Sequence, residues 1–175
     1  MTLPASQALV ELADHEAIRD CLYRYARGAD RCDEEMLRSV YWEDAHDDHC
    51  VFQGSREELI AWVIPLLKER EATAHNIDNI LIRIHGGSAD AESYFQGYHV
   101  MRGDVTPKAF LQGGRYLDRL EKRGDEWRIA RRKVVVDWFR AFDTAGDWSV
   151  GPQGQKGIAP GGRWPDDDSY TELDF

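Results

Sequence analysis

The stretch AHNIDNILIRIHGGSADAESYFQGYHV, residues 74–100, decides the fold. Branched and aromatic residues alternate with polar ones on both sides of Gly86-Gly87, the pattern of two strands joined by a tight turn. Two more such stretches follow, at 109–121 and 127–140, after breaks at Gly103-Asp104 with Pro107 and at Gly124-Asp125. The spacing predicts four long strands over 75–85, 90–102, 109–121 and 127–140, connected as an antiparallel meander.

Upstream the period is helical. Leu9, Leu12, Ile18, Leu22 and Tyr25 predict a helix over 7–27, with Gly28 as its stop. Asp33 can cap a second helix through Met36, Leu37, Val40 and Tyr41. Residues 46–53 read as a short strand. Ser55 and Glu58 then form a capping box for a third helix in SREELIAWVIPLLKERE, residues 55–71, which Pro65 is expected to kink or break. Three helices before a run of strands is an α+β pattern, with the helices packed on one face of a curved antiparallel sheet. Residues 1–140 form the domain. Residues 141–175 hold six of the 15 glycines and three of the six prolines and read as a tail. Trp148, Trp164 and Tyr170 suggest that this tail docks in part, as a lid or on a partner subunit.

The 175 residues suit one domain and can bury about 70% of the unfolded surface without metal or disulfide. A net charge of −10 disfavours nucleic-acid and anionic-membrane partners, which need clustered Lys and Arg. No apolar run is long enough for a transmembrane helix, and the opening MTLPASQALVELADHE lacks the cationic region of a signal peptide. Cys21, Cys32 and Cys50 are odd in number and lack CxxC spacing, which fits a reducing cytoplasm. Phosphate-cradling glycine motifs and a nucleophile elbow are absent, so side-chain acids and bases are expected to act without a cofactor.

Four groups could carry chemistry. Tyr25 and Asp30, five residues apart in RYARGADRCD, read either as a core tyrosine with a loop-capping aspartate or as a hydroxyl–carboxylate pair in a cavity. His75 and His99 lie on the first two strands, where positions near 75 and 98 oppose, so both can enter one concavity. HDDHC, residues 46–50, puts His46, Asp48 and Cys50 on one strand face and Asp47 and His49 on the other. No second ligand set follows at a known spacing, so a solvated edge strand is expected there and no metal site. Arg102, Arg115 and Arg140 near strand ends read as surface ion pairs or as binders of a phenolate or carboxylate. Trp42, Trp62, Tyr116 and Trp138 are candidate walls for a flat aromatic ligand.

The run EAIRDCLYRYARGADRCDEEMLRSVYWEDA, residues 16–45, resembles the opening helices of SnoaL-like proteins in the nuclear transport factor 2-like superfamily. AHNIDNILIRI, ADAESYFQGYHV and GGRYLDRLEKRGDEWRIARRKVVVDWFR resemble its strands. The resemblance covers about residues 10–140 and implies a cone-shaped sheet closed by helices around a deep pocket. Among the enzymes of this family, the sequence resembles bile acid 7α-dehydratases and scytalone dehydratases. Tyr25, Asp30 and His75 fall on the catalytic tyrosine, aspartate and strand histidine of the former. His99 replaces an acidic residue, as in scytalone dehydratases, where both strands supply histidine. A final-strand arginine falls near Val136, with Arg140 as its stand-in, and Tyr116 matches a family tyrosine. The chain also resembles sphingomonad diarylpropane lyases, in which a phenolic diol loses its benzylic hydroxyl to give a quinone methide and then releases formaldehyde to leave a stilbene.

These resemblances imply a cofactor-independent lyase on a hydroxylated aromatic compound, and a homo-oligomer, dimer or trimer. Two alternatives stand beside it: an isomerase or cyclase on a polyketide- or steroid-like ketone, and a non-catalytic small subunit of a ring-hydroxylating dioxygenase.

Overall fold

The computed structural model describes residues 4–144 and 161–173. Helix α1, Ala5–Arg31, runs one turn past the predicted stop. Gly28 lies inside it because α2, Glu34–Val40, crosses there: a Cβ on Gly28 would meet the Leu37 side chain at 3.1 Å. The helix ends instead at Cys32, whose left-handed φ of 53° lets the next amides close back on Ala29 and Gly28. Asp30 is therefore held on the last helical turn. Asp33 caps α2 through the Met36 amide, as its sequence predicts. Ser55 and Glu58 form the capping box of α3, Arg56–Lys68, which continues through Pro65 because that residue and Ala61, whose carbonyl it leaves free, are exposed.

The sheet has six strands, β1 (Tyr41–Asp48), β2 (Gln53–Ser55), β3 (Arg70–His85), β4 (Ser88–Met101), β5 (Ala109–Arg123) and β6 (Glu126–Phe142), in the order β2-β1-β6-β5-β4-β3. The β3–β6 meander is antiparallel, as predicted. β1 pairs in parallel with β6, so the sheet is mixed at that one junction. The intervening α3 and four strands give the chain the length a parallel return needs. The predicted strand at 46–53 is resolved into the end of β1, a tight turn and β2.

Register shifts decide which side chains face inward. On β6, Val136 pairs with Gly114 and Trp138 with Gly113, leaving Asp137 as an extra residue. On the β3–β4 pair, a shift between Asp78 and Leu81 sets His75 opposite Gly97. The helices cover the inner face of the sheet, where Ile18, Tyr41, Leu59, Phe95, Leu120 and Ile129 form the core. Asp14 ties α1 to the sheet by accepting from Lys122 Nζ at 2.7 Å and Trp127 Nε1 at 2.8 Å.

Residues 161–173 lie against the C-terminal end of α1. The Trp164 amide donates to the Arg31 carbonyl at 2.7 Å, and Tyr170 Oη donates to Asp33 Oδ2 at 2.9 Å. Trp164 keeps half its surface exposed, and Trp148 lies outside the described residues. Among the described residues no helix is long and apolar enough to cross a membrane.

Candidate active site

Between the helices and the inner sheet face lies a cavity of about 320 Å³. Its walls include Tyr25, His49, Trp62, His75, His99 and Tyr116. That volume is in the range of small-molecule sites.

Asp30, from α1, grips His75, from β3, twice. Its Oδ1 stands 2.7 Å from His75 Nδ1, and its Oδ2 accepts from the His75 amide at 2.8 Å. Burial pushes the Asp30 carboxyl up, but the His75 hydrogen bonds and charge outweigh it and hold the group below the ordinary value. A carboxylate on Nδ1 selects the tautomer that leaves Nε2 as the free basic nitrogen. The tail adds a third support: Arg163 Nη1 donates to the Asp30 carbonyl and, at 2.8 Å, to Thr73 Oγ1.

His99 stands edge-on to His75, ring centres 5.2 Å apart. Gly97 makes room for both, since a Cβ there would come within 3.3 Å of each imidazole. His99 is 6% exposed and neither of its ring nitrogens has a partner. Burial, then the nearby His75 and Arg70 charges, push it down to about 3, so it is a neutral imidazole. This has a measurable effect on stability. Between its ordinary value of 6.5 and about 3, the unfolded chain carries a proton here that the folded chain refuses, so stability falls as the pH falls. The slope is about 1.4 kcal/mol per pH unit. His99→Gln is expected to flatten the melting-temperature profile over this acid range, and an unchanged slope would refute the neutral assignment.

Tyr25 and Tyr116 form the floor with their rings edge to face, centroids 5.5 Å apart. Burial raises the Tyr25 hydroxyl to about 12, so it stays a donor. Beneath them lies Arg132, fully buried and bound to Asp118 by two 2.7 Å hydrogen bonds. Its guanidinium carbon is 4.0 Å from the Tyr25 ring centre and 4.2 Å from that of Tyr116.

A second histidine–aspartate pair faces the cavity from the β1 end of the sheet. His49 Nδ1 is 2.9 Å from Asp47 Oδ1, and Asp47 Oδ2 accepts from Tyr41 Oη at 2.7 Å. Asp47 is 1% exposed, and its carboxyl is raised by burial but lowered more by His49 and Arg132. The expectation of a solvated edge at HDDHC is thus corrected: β2 covers that edge, and the face carrying Asp47 and His49 turns inward. No group of three His, Cys, Asp or Glu among the described residues is arranged to hold a metal.

Of the residues singled out from the sequence, Tyr25, Asp30, His75, His99, Trp62 and Tyr116 are brought together. Four are not. Trp42 caps the far end of the sheet, donating to the Glu121 carbonyl between Arg123 and Arg128. Arg115 is on the outer face, forked onto Asp137 at 3.0 and 3.1 Å. Trp138 and Arg140 point outward because the extra residue Asp137 reverses the alternation of β6, which instead turns Phe139 onto Phe110, 5.3 Å between ring centres. Arg102 donates to the Arg70 carbonyl. The β6 arginine that reaches the cavity floor is Arg132, not Arg140. Asp47, His49, Arg70 and Arg163 were not anticipated as site residues. The inward parity of Asp47 with His49 was the available signal for that pair.

This cavity, with its acid–base groups between the helices and the curved sheet, is the candidate active site. The chain belongs to the SnoaL-like family, whose sequence profile matches residues 10–133. No curated protein matches it in sequence. Solved structures share the fold. Hexachlorocyclohexane dehydrochlorinase LinA-type3 from Novosphingobium barchaimii superposes with a TM-score of 0.70 at 18% identity, covering 83% of this chain and 99% of its own. A protein of Novosphingobium aromaticivorans provisionally assigned as a scytalone dehydratase gives 0.69 at 19% identity, covering 86% and 97%. A second from that organism, provisionally assigned as an aromatic ring hydroxylase, gives 0.68 at 20% identity, covering 74% and 94%.

Proposed function

We propose that the protein is a cofactor-independent lyase that removes water from a hydroxylated aromatic compound by acid–base catalysis. The observation that carries this reading is the Asp30–His75 dyad set into an aromatic cavity. His75 Nε2 takes a proton from the substrate, and Asp30 stabilises the imidazolium that forms. The electron pair released moves into the new double bond, and the C–O pair leaves with the hydroxyl. That hydroxyl needs a proton to depart as water. His49, fixed by Asp47, and the neutral Tyr25 hydroxyl are the donors on hand. Two structurally similar proteins are named for eliminations, which supports the reading.

The specific form is a phenolic diarylpropane-diol. Loss of the phenol proton and benzylic hydroxyl gives a quinone methide. Deprotonation of the remaining alcohol then breaks the adjacent C–C bond, releasing formaldehyde and returning the electrons to the ring as the stilbene forms. The product mass tests it: loss of water and formaldehyde supports it, and unchanged mass with a new product indicates an isomerase or cyclase. Likeness to a protein assigned as a ring hydroxylase favours a second reading, a non-catalytic subunit, which calls for no buried dyad and predicts no turnover.

If His49 is the acid, its loss should show most where the leaving group is poor. His49→Gln is expected to slow loss of hydroxide by about 10²-fold and loss of halide from a matched analogue much less. Equal losses of kcat on both would remove His49 from that role.

A further inference from the structure

Arg70 opens β3 and its side chain lines the cavity. The side chain's one hydrogen bond among the described residues goes from Nη1 to Met101 Sδ, at 2.9 Å, a weak acceptor. Its Nε is buried with no partner. No carboxylate among the described residues reaches it, although the chain carries 32 of them and Arg115, Arg119, Arg123 and Arg132 each hold one. A guanidinium taken partly out of water without a counter-charge is costly, and a structural arginine meets that cost with a carboxylate.

Its neighbours complete a site. Phe110 lies 5.9 Å from the guanidinium carbon and stacks on His99 at 4.5 Å, with 17° between the planes. His99 is buried beyond nine-tenths, lines the same cavity and has both ring nitrogens free. A cation, an aromatic face and an unpartnered imidazole thus stand in a row along one wall.

We propose that Arg70 and His99 form a subsite for an anionic oxygen, a carboxylate or phenolate, borne on an aromatic ring that packs against Phe110. The guanidinium fork matches such an oxygen pair, and the imidazole donates its ring N–H. The subsite rests on the reading of this cavity as the substrate site. It restricts the substrate to aromatic anions rather than neutral alcohols.

Binding tests it separately from turnover. In calorimetric titrations, benzoate is expected to bind at least tenfold more tightly than benzamide, its neutral analogue. Arg70→Met should bring benzoate down to the benzamide level, and Arg70→Lys, which keeps the charge but not the fork, should fall between. An unchanged melting temperature and benzamide affinity would show each variant folded. 4-Nitrophenol, whose phenolate absorbs in the visible, separates the two anions: selective uptake of the coloured form marks a phenolate site, and selectivity for benzoate alone a carboxylate site. Equal binding of benzoate and benzamide with no selectivity for the coloured 4-nitrophenolate, a preference surviving in Arg70→Met, or no binding of any probe overturns the subsite. Charge-selective binding without turnover of any substrate would instead retain the subsite and remove the lyase.

Discussion

Replacing His75 with Gln is expected to lower kcat on a hydroxylated aromatic substrate by about 10²–10⁴-fold, the range for loss of a positioned general base. KM should change little, because the glutamine fills similar space in a cavity whose other walls are intact. Asp30→Asn should cost on the order of 10³–10⁴-fold for a different reason. Asp30 accepts from both the His75 ring and the His75 amide. An asparagine has one acceptor oxygen and can satisfy only one of them; with that oxygen on the backbone amide its NH2 faces the ring and favours the wrong tautomer, and with the oxygen on the ring its NH2 opposes the backbone N–H. Equal turnover in wild type and His75→Gln would place the chemistry elsewhere.

The largest effect on stability is expected at Arg132. Arg132→Met strands the Asp118 carboxylate in the core, and breaking a buried pair of this kind costs about 3–5 kcal/mol. The rings of Tyr25 and Tyr116 lose the cation between them, so the cavity floor loosens as well. The double variant Arg132→Met, Asp118→Leu should recover most of the loss, since no charge is left unpaired. Urea unfolding of the two variants reads this directly, and a double variant no more stable than the single one would contradict the ion-pair explanation.

Much of the fold is written locally. Gly86-Gly87 and Gly124-Asp125 mark turns wherever they stand, and the capping box at Ser55 is a contact within one turn of helix. What was illegible depends on distant partners. Gly28 reads as a stop until α2 crosses it. Parallel pairing of β1 with β6 leaves no trace in either strand's alternation. The candidate site divides in the same way. Tyr25, Asp30 and His75 are grouped by spacing and by family resemblance. Arg115 could have been excluded, because it adjoins Tyr116 and neighbours on a strand face opposite ways. Trp138 and Arg140 could not, because only the extra residue at Asp137 turns them outward. Arg132 sits in a run of three cations that reads as solvated. The offset between Arg119–Arg131 and Leu120–Ile129 pairing is what turns it inward alongside Ile129.

Turnover of a phenolic panel, including diarylpropane-diols, is the most direct test of the central claim. The assay is run without added cofactor, with product mass and formaldehyde recorded for wild type and His75→Ala. A lyase centred on the Asp30–His75 dyad gives loss of water, or of water with formaldehyde, in the wild type and neither in the variant. Elimination that persists in His75→Ala, or a wild type inert towards every phenol, contradicts it.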